Sequence, residues 1–134
     1  MDHLIQKAKE ARDKAYAPYS EFRVGAALES SDGKIFTGCN VESASYGATC
    51  CAERTALVKA ISEGVREFTR IAIFAGTKEP CPPCGICRQM LYEFAPELEV
   101  IMAGTEGKAT SSKLSELMPN PFHSERLGCK RTGK

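Results

Sequence analysis

The sequence predicts an α/β domain built on a mixed sheet, and three features predict it. Two extended apolar runs, FRVGAALES and KIFTGCNVE, flank Asp32-Gly33, a pairing that marks an antiparallel hairpin. Further on, RIAIFAG and EVIMAG bracket a helical run from Cys84 to Phe94. Strand, helix, strand in that order predicts parallel neighbours joined by a right-handed crossover.

The remaining elements follow in chain order. Leu4, Ile5, Ala8, Ala11, Ala15 and Tyr16 recur at helical spacing before Pro18, which predicts a first helix over residues 2–16. From Cys51 to Glu63 there is no Gly or Pro, and Ala52, Ala56, Leu57, Ala60 and Ile61 form one stripe closed by Gly64. TEGKATSS predicts a turn into a weak fifth strand, and KLSELMP a short last helix. The polar, basic segment NPFHSERLGCKRTGK reads as a tail with a disordered end.

A chain of 134 residues is long enough for one domain with one core. Its 18 basic and 17 acidic side chains leave a net charge of +1, with none of the electrostatic footprint that a nucleic-acid partner requires. The opening MDHLIQKAKEARDKAY is charged throughout, and no apolar run reaches the length of a membrane span. The expected setting is the cytoplasm and the expected partner a small, nearly neutral molecule. Seven cysteines in a reducing compartment point to metal binding or catalysis before disulfides.

Cys84 and Cys87 stand at a spacing that brings two sulfurs to one metal ion at the start of a helix. Alone, that pair is as compatible with a redox dithiol as with zinc. Cys51, in Cys-Ala-Glu at the start of another helix, supplies a third thiolate. Within an ideal helix Cys51 and Glu53 would differ by about 200°, so they converge only if the metal lies beyond the helix end, near its axis. The metal is therefore expected off the N-termini of both helices, where unpaired N–H groups and positive dipole ends face it.

Three protein ligands leave the fourth tetrahedral position open to water, as catalytic zinc sites do. Zinc lowers that water's pKa toward about 7, and Glu53 is placed to carry its protons. Arg54 reads as a charged hydrogen-bond partner of the thiolates. Cys50 reads as a small buried apolar residue, Cys81 as a loop thiol, Cys39 as core and Cys129 as part of the tail. His3 and His123, distant in sequence from every thiol of the cluster, stay outside the site. A closed structural zinc clip using Cys50 or Cys81 is the non-enzymatic alternative, and it leaves the carboxyl group beside the thiols without a purpose.

With Cys-Ala-Glu and Pro-Cys-x-x-Cys at the starts of two helices, the sequence resembles the zinc-dependent nucleoside and nucleobase deaminases. The resemblance is closest to the small cytidine deaminases with three cysteine ligands, through AYAPYSEFRVGAAL, GCNVESASYG, CAERTAL, PCGICRQ and LMPNPF. It implies a three-layer α/β/α fold around a mixed five-stranded sheet, one deaminase domain over residues 1–127, and a flexible tail over 128–134.

The resemblance further implies one Zn²⁺ per chain on Cys51, Cys84 and Cys87, with Glu53 shuttling protons as water attacks the amine-bearing carbon and ammonia departs. Cytidine and 2'-deoxycytidine would become uridine and 2'-deoxyuridine, a step of pyrimidine salvage. Asn40 and Glu42 would hold the ribose hydroxyls, Phe22 would line the pyrimidine pocket, and main-chain groups at Ala52 and Pro83-Cys84 would read the base edge. A homotetramer with shared active sites is implied as well, Ala44, Tyr46 and Phe122 meeting the sites of neighbouring subunits. Ser43, Cys50 and Pro82 depart from the usual asparagine, apolar residue and serine; these departures bear on the pocket rim and hence on substrate preference, and a blasticidin S-type or other aminopyrimidine nucleoside deaminase is the alternative reading.

Overall fold

The computed structural model describes residues 2–128; Cys129 and the segment 129–134 of the expected tail lie outside them. Helix α1 spans His3–Arg12, β1 Gly25–Ser30, β2 Ile35–Cys39, α2 Ala52–Ser62, β3 Phe68–Phe74, α3 Gly85–Phe94, β4 Glu99–Ala103, β5 Ala109–Lys113 and α4 Leu114–Leu117. The strands form one sheet in the order β2-β1-β3-β4-β5. Only β3 and β4 pair in parallel; the other three pairings are antiparallel. This is the expected mixed five-stranded sheet.

Side-chain alternation along the strands sorts residues onto two faces. Ala26, Leu28, Ile71, Ile73, Val100 and Met102 meet Ala56, Leu57 and Ala60 of α2 and Leu91 of α3. Ala27, Ala72, Phe74, Ile101 and Ala103 face the other way, onto Leu4 and Ala8 of α1. Ile71 and Val100 sit opposite each other in the β3–β4 register, as do Ala72 and Ile101, so each face of one strand extends the same face of the next. Each fully buried Leu, Ile or Val contributes roughly 1.5–3 kcal/mol.

Two glycines let the helices come close. A Cβ on Gly25 would lie 1.9 Å from the Ala8 carbonyl oxygen of α1, and one on Gly38 would lie 2.5 Å from both the Ala52 oxygen and the Ala56 nitrogen of α2. The second contact seats the start of α2 directly on β2.

Helix α1 ends at Arg12, not near residue 16 as its apolar spacing suggests. Lys14 and Ala15 donate to carbonyls three residues back, and the Tyr16 amide then leaves the helix to donate to the Asn40 carbonyl at 3.0 Å. A bridge to the chain after β2 thus wins over propagation, and Pro18 blocks any return. Two 3₁₀ turns, Tyr46–Ala48 and Ser124–Leu127, are too short to show a helical period. Among the described residues, no helix is long and apolar enough to cross a membrane.

Candidate metal and nucleoside site

The site gathers where β2 and β3 give way, through loops, to α2 and α3. Cys51 is the N-cap residue of α2 and Cys84 that of α3, both with extended backbone and neither accepting a side-chain capping bond. Polar N-cap side chains normally turn back onto their own helix. These thiols instead face one another: Cys51 Sγ lies 3.8 Å from Cys84 Sγ, and Cys84 Sγ lies 3.4 Å from Cys87 Sγ. All three sulfurs fall within 4.8 Å of one another. Tetrahedral zinc with Zn–S bonds of about 2.3 Å holds its sulfurs about 3.8 Å apart, so this donor set fits one zinc ion with small adjustments.

Because Cys51 is a cap with extended φ and ψ, the 200° rule for two helical positions does not separate it from Glu53. The carboxyl group sits in the first turn of α2, 5% exposed. Burial pushes its pKa up to about 7, with the Cys51 charge adding to the rise, while its own amide and Arg54 oppose it. The Cys51 thiol moves the other way, down to about 5, chiefly because it accepts a hydrogen bond from Cys87 and also from Arg54 and Cys84. Cys87, the donor and fully buried, is pushed up by the same bond and by its burial.

Arg54 spans two groups. Its Nη2 donates to the Thr49 carbonyl at 3.0 Å and toward Cys51 Sγ at 3.7 Å, and the thiolate hydrogen bond raises its own pKa further. Arg88, to which sequence reasoning gave no role, clamps the other helix. Its Nε donates to the Pro83 carbonyl at 2.9 Å and its Nη1 to that of Leu117 at 2.6 Å, fixing the turn just before Cys84. Its place directly after Cys87 was the only available signal.

The other described thiols stay out of the cluster. Cys50 exchanges main-chain hydrogen bonds with Val41, both 2.9 Å, and its sulfur accepts from the Thr55 hydroxyl at 3.4 Å. It is half-buried rather than buried, because that bridge holds it at the edge of α2. Cys39 is likewise half-buried and belongs to neither apolar cluster, since it alternates with Gly38, which faces α2. Cys81 is a loop thiol, as its sequence context suggests, with its pKa raised by burial and by the nearby Glu53. His3 is exposed, and His123 faces Glu125 at 3.9 Å.

Beside the cluster lies an open hollow lined by Tyr19, Ser20, Glu42, Tyr46 and Thr49. Thr49 joins it to the thiols through Arg54. Tyr19 and Tyr46 meet edge to face at 5.8 Å. Glu42 accepts from the amides of Tyr19 and Ser20, both at 3.1 Å, and from the Ser20 hydroxyl, bonds that hold its carboxyl below the usual range, the hydroxyl first. Asn40, buried, donates to the Phe22 carbonyl at 2.8 Å and accepts from the Val24 amide at 2.9 Å. Phe22, Tyr46 and Phe122 are exposed aromatics and Ala44 is exposed too; Gln89 donates to the Phe122 carbonyl at 2.7 Å, tying that segment to α3.

Comparison with known proteins gives this geometry a context. The profile of the cytidine and deoxycytidylate deaminase zinc-binding region matches residues 1–105. A cytidine deaminase of Halalkalibacterium halodurans is 50% identical, over 92% of this chain and 95% of its own. One from Sporosarcina psychrophila is 44% identical, over 95% and 94%. The crystal structure of cytidine deaminase from Burkholderia pseudomallei superposes with a TM-score of 0.87 at 51% identity, covering 91% of this chain and all of that one.

Proposed function

The chain belongs to the cytidine and deoxycytidylate deaminase family, and from that premise we propose that it hydrolyses cytidine and 2'-deoxycytidine to uridine and 2'-deoxyuridine with release of ammonia. The observation that carries the assignment is the convergence of three sulfurs at two helix N-termini beside a buried carboxyl group. Cys51, Cys84 and Cys87 hold zinc, one ion per chain. When bound, zinc supplies the Lewis acidity that turns water into a nucleophile near neutral pH.

The chain's own residues do the rest. Glu53 takes the two protons of the attacking water in turn and passes one to the ring nitrogen and the other to the leaving amine, a relay suited to a carboxyl group whose buried setting disfavours its charge. Arg54 stabilises the Cys51 thiolate and holds the Thr49 carbonyl, and the two helix N-termini offset part of the excess negative charge of three thiolates. Main-chain groups of Ala52 and of Pro83-Cys84 face the base edge, with Arg88 steadying the latter.

Asn40 and Glu42 bind the sugar. Half of the Asn40 amide's capacity goes to Phe22 and Val24, which leaves one N–H and one oxygen lone pair. Phe22 offers its ring to the pyrimidine. Ala44, Tyr46 and Phe122 complete the sites of adjacent subunits in a homotetramer, a reading supported by the exposure of Tyr46 at 74%, Phe122 at 57% and Ile86 at 62%. Residues 1–127 act as a single domain.

A competition assay tests the substrate class. Cytidine, blasticidin S and a cytosine-containing oligonucleotide are offered together to the purified protein. Consumption of cytidine first is the expected result, and preference for either rival would reject this assignment.

A further inference from the structure

Ser20 has no assigned role, yet its hydroxyl stands at the centre of the hollow's hydrogen bonding. The group donates to Glu42 Oε2 and accepts from the Phe22 amide at 3.0 Å. Its rotor is therefore set from both sides. Glu42 Oε1 receives the amides of Tyr19 and Ser20, which fill both of its lone pairs. Oε2 receives only the Ser20 hydroxyl and keeps one lone pair for an outside donor.

The backbone carries the same design. Glu21, between Ser20 and Phe22, sits at φ 58, a left-handed conformation that a non-glycine residue holds only where its surroundings enforce it. Here Glu42 grips the chain before it and Asn40 the carbonyl and amide after it. The segment that presents Phe22 and the groups proposed to hold the sugar are thus one network, and Ser20 is its only side-chain hydroxyl bridging both halves.

We infer that Ser20 is a positioning residue for sugar recognition: it aims the free Oε2 lone pair of Glu42 into the hollow. This rests on the reading of Glu42 as a sugar-binding residue. Without the Ser20 hydroxyl, Oε2 is free to rotate toward solvent and its hydrogen bond to a sugar hydroxyl loses its preset geometry. The effect belongs to ground-state and transition-state binding alike, so it falls on KM.

The test compares Ser20→Ala, Ser20→Thr and Glu42→Gln on cytidine and on 2',3'-dideoxycytidine, the latter as substrate or as competitor. With Ser20→Ala, KM for cytidine rises at least about tenfold, the lower end expected for a hydrogen bond to a charged group, with kcat little changed. The dideoxy compound, which lacks the hydroxyls in question, loses much less, and Ser20→Thr restores cytidine binding. Equal losses on both compounds, or a loss carried by kcat, would overturn the inference. If Glu42→Gln discriminates between the two compounds while Ser20→Ala does not, Ser20 is rejected and the reading of Glu42 stands. If Glu42→Gln shows no discrimination, that reading falls and takes the inference with it.

Discussion

Glu53 is a carboxyl group two residues from the Cys51 thiol, buried in a helix whose neighbouring core positions are alanine and leucine. No packing requirement asks for an acid there, and burying one costs free energy unless it is paired, so its presence points to a functional role. Glu53→Gln keeps shape and volume while removing the titrating proton. It is expected to retain one zinc per chain and a normal melting temperature while kcat falls about 10²- to 10⁴-fold; turnover near that of the parent would assign the proton transfers elsewhere. Glu53 and the three thiols were legible in the sequence because their spacing at helix starts is itself chemical information. Ser20 and Arg88 were not: a serine bonded to a carboxylate 22 positions away, or an arginine to a carbonyl 29 away, leaves no periodic or local mark.

At the scale of elements, the site depends on where two helices begin. Cysteines occupy both N-caps, and the close contact of Gly38 with Ala52 and Ala56 fixes the first turn of α2 on the sheet. Gly38→Ala would force that turn away from β2. Overpacking of this kind costs about 1–3 kcal/mol, so the melting temperature should fall by several degrees, measured by calorimetry, and zinc should leave faster to a chelator because Cys51 moves with the turn. An unchanged melting temperature and chelation rate would show that the contact yields freely. The strands, α2 and α3 followed from apolar period and glycine punctuation to within a few residues. The end of α1 did not, since Tyr16 gives up helix for a bridge partner that only the folded chain brings near.

For the molecule as a whole, Ala26 and Ile71 lie on one face of the sheet and Ala27 and Ala72 on the other, with a helix layer on each; strands apolar on both sides leave no mark in the sequence of which helix covers which face. Assembly was not readable from pattern alone, because an exposed Tyr46 or Phe122 looks like any surface aromatic until its neighbours are known. Light scattering should report a particle of four chains, and Phe122→Asp should shift it toward smaller species with a loss of activity; a parent protein that runs as a monomer at full activity would refute the shared-site arrangement.

If three cysteines hold a zinc ion on which nucleoside deamination depends, withdrawing the metal must stop turnover. The most direct test follows the ultraviolet absorbance of cytidine with purified protein before and after chelation, with zinc counted per chain in the same samples. The expected result is one zinc per chain, conversion to uridine, loss of conversion as zinc is withdrawn and recovery when it is returned. Full turnover by the zinc-depleted protein, or no turnover by protein carrying one zinc per chain, would contradict it.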